Sequence, residues 1–230
     1  MKIIYIHNKK ARRYIIRIID HNTVRITIPW GGTEKSAKRF LEENIKAIQE
    51  KQNEIPQAFF EKDNEYLNDY FSIKIIETEK NWKVTEKVKK IIIAVPHHNN
   101  IEDENIQKEI QKAILKKLKK EAKIYLVKRT FELALENKFK INSIKINSAK
   151  TRWGSCSFNN NINLSAYLLL LPSKLIDYII LHELCHTVEK NHSSSFYNLL
   201  EKVSEDYNQF LRKEIKKYSP KILPYYFKKM

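Results

Sequence analysis

One helical stretch constrains this chain more than any other. Between Pro172 and Val188, apolar residues recur at Leu175, Ile176, Ile179, Ile180, Leu184 and Val188, the spacing of a helix face turned to a core. Into that stripe the sequence sets His182-Glu183-Leu184-Cys185-His186. A His-Glu-His cluster on a core helix is costly to bury unless something compensates it, and a cation suits two imidazoles and a carboxylate. The fold must therefore bury this helix while leaving one end of it at a small polar site. Pro172 and Ser173 open the helix, with Ser173 expected as its N-cap.

Residues four apart on a helix are about 40° out of register, so the two imidazoles share one face, one turn apart. That spacing lets two ring nitrogens share a Zn2+ at about 2.0–2.1 Å. Glu183, about 100° around the helix, stays beside the ion without taking a coordination position, as a general base acting on a water must. For this composition the motif has a chance expectation of about 0.02. His192 lies six residues beyond His186, past Asn191, which is expected to end the helix in the left-handed conformation. Chain reversal there would bring His192 over the other two, and requiring it lowers the chance expectation to about 0.0006. Metzincin spacing is matched but not metzincin chemistry: Glu189 stands where those enzymes place Gly, and the methionines are Met1 and Met230. A distant carboxylate ligand, Glu201 or Glu205, is the alternative to His192.

Composition limits the context. The chain has 230 residues, 42% of them hydrophobic, and only three Gly, which supplies a core and excludes collagen-like architecture. Two cysteines, Cys156 and Cys185, cannot make a disulfide scaffold. Cys185 reads as a small core residue, and Cys156 as a neighbour of the site. The longest apolar run, Ala166 to Leu171, is broken by Pro172, far short of the roughly 18 residues a membrane span needs. With no secretory segment at Met1–Lys10, a cytoplasmic, soluble protein without membrane contact is expected.

The formal charge of +16 favours acidic partners, but it comes from 35 Lys and 8 Arg, and base-reading proteins lean on Arg. Between Lys108 and Lys150 there are 13 basic residues against 4 acidic ones. That face reads either as a solvated lysine surface or as a weak, non-specific nucleic-acid patch centred on Lys116, Lys117, Lys119, Lys120 and Lys123.

Strands are expected at 14–19, 24–28, 71–76, 82–85 and 91–95, with one amphipathic helix over 34–53. The Pro96–Asn100 stretch reads as a linker. An i, i+4 stripe from Ile106 to Phe131 predicts a long helix over 102–136, followed by short strands at 143–146, 152–157 and 162–164. Asn159-Asn-Asn161 marks a turn between the last two, and a final helix is expected over 194–217.

Arg152-Trp-Gly-Ser-Cys-Ser157, Ile162-Asn-Leu164, the helix ending in His182-Glu-Leu-Cys-His186, Asn191-His-Ser193 and Phe196-Tyr197 together resemble the YgjP-like metallohydrolases, relatives of the SprT and WLM zinc peptidases. The resemblance covers about 102–215. It implies that His182, His186 and His192 are zinc ligands and Glu183 the catalytic base, and the His-x-x-x-Phe context at His192–Phe196 favours that histidine over Glu189.

The expectation is an α+β, zincin-like catalytic domain over 101–230 behind a strand-rich region over 1–100, holding one Zn2+ per chain. It would be a metallopeptidase acting on a peptide or protein, with an extended substrate pairing to an edge strand near Ile162–Ser165. Arg152 would hold a substrate carboxylate or phosphate, or else pair with Asp177. The alternatives are a metal-dependent nucleoside triphosphate phosphohydrolase, which the resemblance also admits, and a zinc-stabilised nucleic-acid-binding module.

Overall fold

The structure is a computed structural model that describes residues 1–19, 23–53, 60–204, 211, 213–215, 218 and 227–230. The chain divides into two compact units, Met1–Ala58 and Phe59–Met230.

In the first unit, strands β1 (Lys2–His7), β2 (Ile15–Ile18) and β3 (Thr23–Ile28) form a sheet in the order β1-β3-β2. β3 runs parallel to β1 and antiparallel to β2. Alternation along β3 turns Val24, Ile26 and Ile28 into a core with Ala37, Leu41 and Ile48 of helices α1 (Glu34–Glu43) and α2 (Ile45–Asn53). Thr33 caps α1 by accepting from Ser36 N–H. The single helix expected over 34–53 is broken at Asn44, which leaves the helical region (φ −109°, ψ 6°) while its Nδ2 donates to Phe40 O at 2.8 Å. Strand β1 was not expected, because its partner lies about twenty residues away in sequence.

The second unit holds a five-stranded sheet in the order β11-β4-β5-β7-β6, from β4 (Glu65–Leu67), β5 (Ser72–Thr78), β6 (Lys83–Lys87), β7 (Lys90–Pro96) and β11 (Lys228–Lys229). Ile73, Ile75, Ile91 and Ile93 of β5 and β7 share one core with Ile110, Ile114, Leu118 and Leu126 of α3 (Glu104–Glu136). The strands at 65–96 therefore belong with α3, and the compact units meet at residues 58 and 59. The Pro96–Asn100 stretch is a turn inside this unit, with His97 N–H donating to Thr78 O and Asn99 N–H to Pro96 O, both at 3.0 Å. Asp103 caps α3 through the N–H groups of Asn105 and Ile106.

A second sheet, in the order β8-β10-β9, comes from β8 (Ser143–Asn147), β9 (Gly154–Cys156) and β10 (Asn161–Ser165). The expected Asn turn joins β9 to β10, with Asn160 left-handed at φ 55°. A buried 3-10 turn, Ala166–Leu170, leads into α4 (Ser173–Cys185), which packs on α3, β9, β10 and α5 (Ser194–Val203). Pro172, not Ser173, occupies the N-cap position of α4, and no side chain caps it. Of the helix expected over 194–217, most residues beyond Ser204 lie outside the described ones. The architecture is α+β.

The lysine face of α3 is laced with ion pairs. Lys117 is buried, donating to Lys87 O (3.0 Å) and Val88 O (2.8 Å) and pairing with Glu121. Lys120 pairs with Glu86, Lys108 with Glu104 and Lys112 with Glu109. Among the described residues no helix is long and apolar enough to cross a membrane.

Candidate metal centre

The last turn of α4 presents His182 and His186, the latter at the C-cap. Helical geometry stops there. Val188 N–H and Glu189 N–H both bond to Cys185 O, a turn that reverses the chain before Asn191. Asn191 is not left-handed; the expected terminator is replaced by this backbone turn on Cys185 O. Ser193 then caps α5 by accepting from Phe196 N–H, which fixes where His192 emerges.

Three imidazoles converge as a result. One nitrogen from each of His182, His186 and His192 lies within 4.8 Å of the others. His182 Nε2 and His192 Nε2 stand 3.1 Å apart, against about 3.3 Å for two tetrahedral ligands on an ion with zinc–nitrogen bonds of 2.0–2.1 Å. His186 Nδ1 lies 3.0 Å from Glu189 O. A carbonyl only accepts, so Nδ1 carries the proton and Nε2 keeps its lone pair, the tautomer a metal ligand needs. Phe196, fully buried, backs all three rings at centroid distances of 4.9, 4.5 and 4.8 Å and stacks on His186 at 27°. The donor set fits zinc: three converging imidazole nitrogens, one ring held by an outer hydrogen bond.

Glu183 lies beside the cluster and is only 7% exposed. Its carboxyl rests against β9, where Gly154 leaves it space. Burial pushes its pKa up to about 7, opposed by the charge of Arg152 and by a backbone hydrogen bond from Cys156. Arg152 itself is exposed. It does not pair with Asp177, because Arg129 on α3 already grips that carboxylate bidentately, Nε to Oδ1 and Nη2 to Oδ2 at 2.9 Å each. Cys185 is buried in the core with its thiol pushed up to about 12, as suits an inert residue. Cys156 is half-buried, with Sγ donating to Ser157 O at 3.3 Å.

Two expectations about neighbours need correction or qualification. β10 cannot be the edge that receives a substrate, since β8 and β9 flank it on both sides. Glu201 is exposed and takes no part in the metal-ligating cluster found among the described residues; Glu205 lies outside them. Gly154, Arg129 and the Glu189 carbonyl had not been singled out. A glycine inside a short strand, one of three in the chain, is a signal of close approach that could have exposed the first.

A family model described as YgjP-like, metallopeptidase domain, matches residues 12–218. The chain belongs to the YgjP-like metallopeptidase family. Among solved structures, this YgjP-like chain is similar to the metallopeptidase zymogen of Pyrococcus abyssi abylysin, at 24% identity over 37% of this chain and 91% of that one, with a TM-score of 0.32. It is also similar to the zymogen of Methanocaldococcus jannaschii jannalysin, at 30% identity over 39% of this chain and 93% of that one, with a TM-score of 0.34. No curated protein sequence matches it. In this YgjP-like domain the three-histidine cluster and the buried carboxyl therefore sit inside a region that a metallopeptidase family model spans.

Proposed function

We propose that the chain is a zinc-dependent metallopeptidase that holds one Zn2+ through His182, His186 and His192 and uses Glu183 to move the proton. The 3.1 Å approach of His182 Nε2 to His192 Nε2, with a buried carboxyl one residue along, is the observation that carries the reading. Zinc held there would polarise a water and the scissile carbonyl. Glu183 then accepts a proton from the attacking water and gives it to the amine that leaves. A carboxyl held beside the ion can serve both directions of that transfer.

The substrate backbone is assigned to β9. Ser165 N–H donates to Trp153 O and Ser157 N–H to Asn161 O, so residues 153, 155 and 157 face β10. Gly154 and Cys156 turn their polar groups the other way, to the free edge. Cys156 N–H is engaged by Glu183, which leaves Cys156 C=O and both groups of Gly154 to pair with an extended peptide. Arg152, whose charge reaches Glu183, is proposed to bind a substrate carboxylate.

The nucleic-acid reading loses two of the five lysines it was centred on, since Lys117 and Lys120 are engaged within the fold. Nothing in the site favours a nucleoside triphosphate. Incubation of the zinc-loaded chain with an unfolded protein, short peptides and nucleoside triphosphates tests the reading. Peptide-bond cleavage is expected; phosphate or pyrophosphate release without it would contradict the proposal.

A further inference from the structure

The first unit carries a groove of about 420 Å3 beside β2, lined by Tyr14, Ile16, Phe40 and Ile48 with Arg13 and Lys51 among its walls. β2 is an edge of its sheet. Ile19 N–H donates to Thr23 O, and the register continues as Arg17↔Arg25 and Ile15↔Thr27, so those residues face β3. Ile16, in the non-bonded position opposite Ile26, must direct its N–H and C=O away from the sheet. Its side chain lies on the core face, partly buried and packed with Tyr14 and Ile18 against the Val24–Ile26–Ile28 cluster. The outward-facing backbone groups of Ile16 and an apolar trough thus lie side by side.

The cations at that edge are unpaired among the described residues. The ion pairs of this unit among the described residues are His7–Glu34 and Arg39–Glu43. Arg13, Arg17 and Lys51 meet no carboxylate among the described residues, unlike the paired lysines of α3. Arg17 stands directly opposite Arg25, a cross-strand pairing of like charges that is unfavourable unless an anion lies nearby.

We propose that β2 is a docking edge for an extended segment of another protein in which apolar and acidic residues alternate. Strand addition next to Ile16 makes the backbone bonds. Every second side chain then enters the trough beside Ile16 and Phe40, and the intervening ones fall on the face that carries Arg17. The alternation of β2 itself, Ile16 inward and Arg17 outward, dictates that pattern. This docking is independent of the metal site and of the peptidase reading.

A fluorescein-labelled heptapeptide alternating Glu and Val, titrated into the intact chain and followed by anisotropy, tests it. Binding is expected, and N-methylation of the central Val should weaken it at least about tenfold by removing one backbone donor. Replacing the Glu residues by Lys should abolish it, and the double substitution Arg13→Glu, Lys51→Glu, at groove-lining cations, should weaken it at least about tenfold. The N-methyl comparison needs no variant protein, so it stands even if the double variant folds poorly. Failure of the acidic peptide to bind would overturn the proposal, as would equal binding of the N-methylated peptide. Displacement by an oligothymidylate would make the surface a nucleic-acid site instead. A sedimenting dimer of the free chain that the double substitution dissociates would show that a second copy occupies the edge.

Discussion

Gly154 and Glu183 share one space: a Cβ on Gly154 would stand 2.6 Å from Glu183 Cγ and 2.8 Å from its Oε1. No real side chain tolerates that approach, so β9 reaches the Glu183 carboxyl only because residue 154 has none. The same closeness brings Cys156 N–H to the carboxyl and turns the strand edge toward the site.

Gly154→Ala should therefore displace the carboxyl without touching a histidine. Zinc content should stay near that of the parent while kcat falls by about 10²-fold, the cost of roughly 1 Å of misplacement at a reacting group. Metal analysis beside steady-state kinetics on one peptide checks both halves.

Glu183 also ties stability to pH once zinc is stripped by a chelator. Its carboxyl is raised from 4.5 to about 7 by burial, so the folded chain keeps a proton that the unfolded chain has lost. Stability from this group is full below about 4.5, falls as pH rises toward 7 and is flat above, a total of about 3 kcal/mol. Denaturant midpoints of the metal-free chain at pH 5 and pH 8 should differ more than those of metal-free Glu183→Gln, which has no such proton to lose.

The third ligand is testable by exchange of candidates. His192→Ala should lower zinc affinity by at least about tenfold, since it removes one of three protein donors, whereas Glu201→Ala should leave it unchanged. Competition with a chelating dye reads both. The reverse result would move the ligand onto α5.

Much of the site was legible because helical spacing is local. The 182–186 step alone puts two imidazoles on one face of α4, and the apolar stripe around them fixes which face is buried. His192 was legible by its distance along the chain, but not the device that delivers it. A turn closing on Cys185 O, rather than a left-handed Asn191, reverses the chain, and backbone bonds of that kind leave little mark on sequence. Strand order was the least legible. Ile162–Ser165 alternates like any edge strand, and only the distant pairing with Ser143–Asn147 makes it central. The break at Asn44 was hidden for a related reason: Leu41, Ile45 and Ile48 keep helical spacing across it. The boundary at residues 58 and 59 follows from β5 and β7 packing on α3, a contact between elements that no local composition announces.

The most direct measurement compares Glu183→Gln with the parent for zinc content and for cleavage of an unfolded protein, in the same preparations. If the three histidines hold the ion and Glu183 moves the proton, the variant retains about one zinc per chain and loses at least about 10²-fold in cleavage rate. Loss of the metal in that variant, or cleavage that continues at the parent rate, would contradict the assignment.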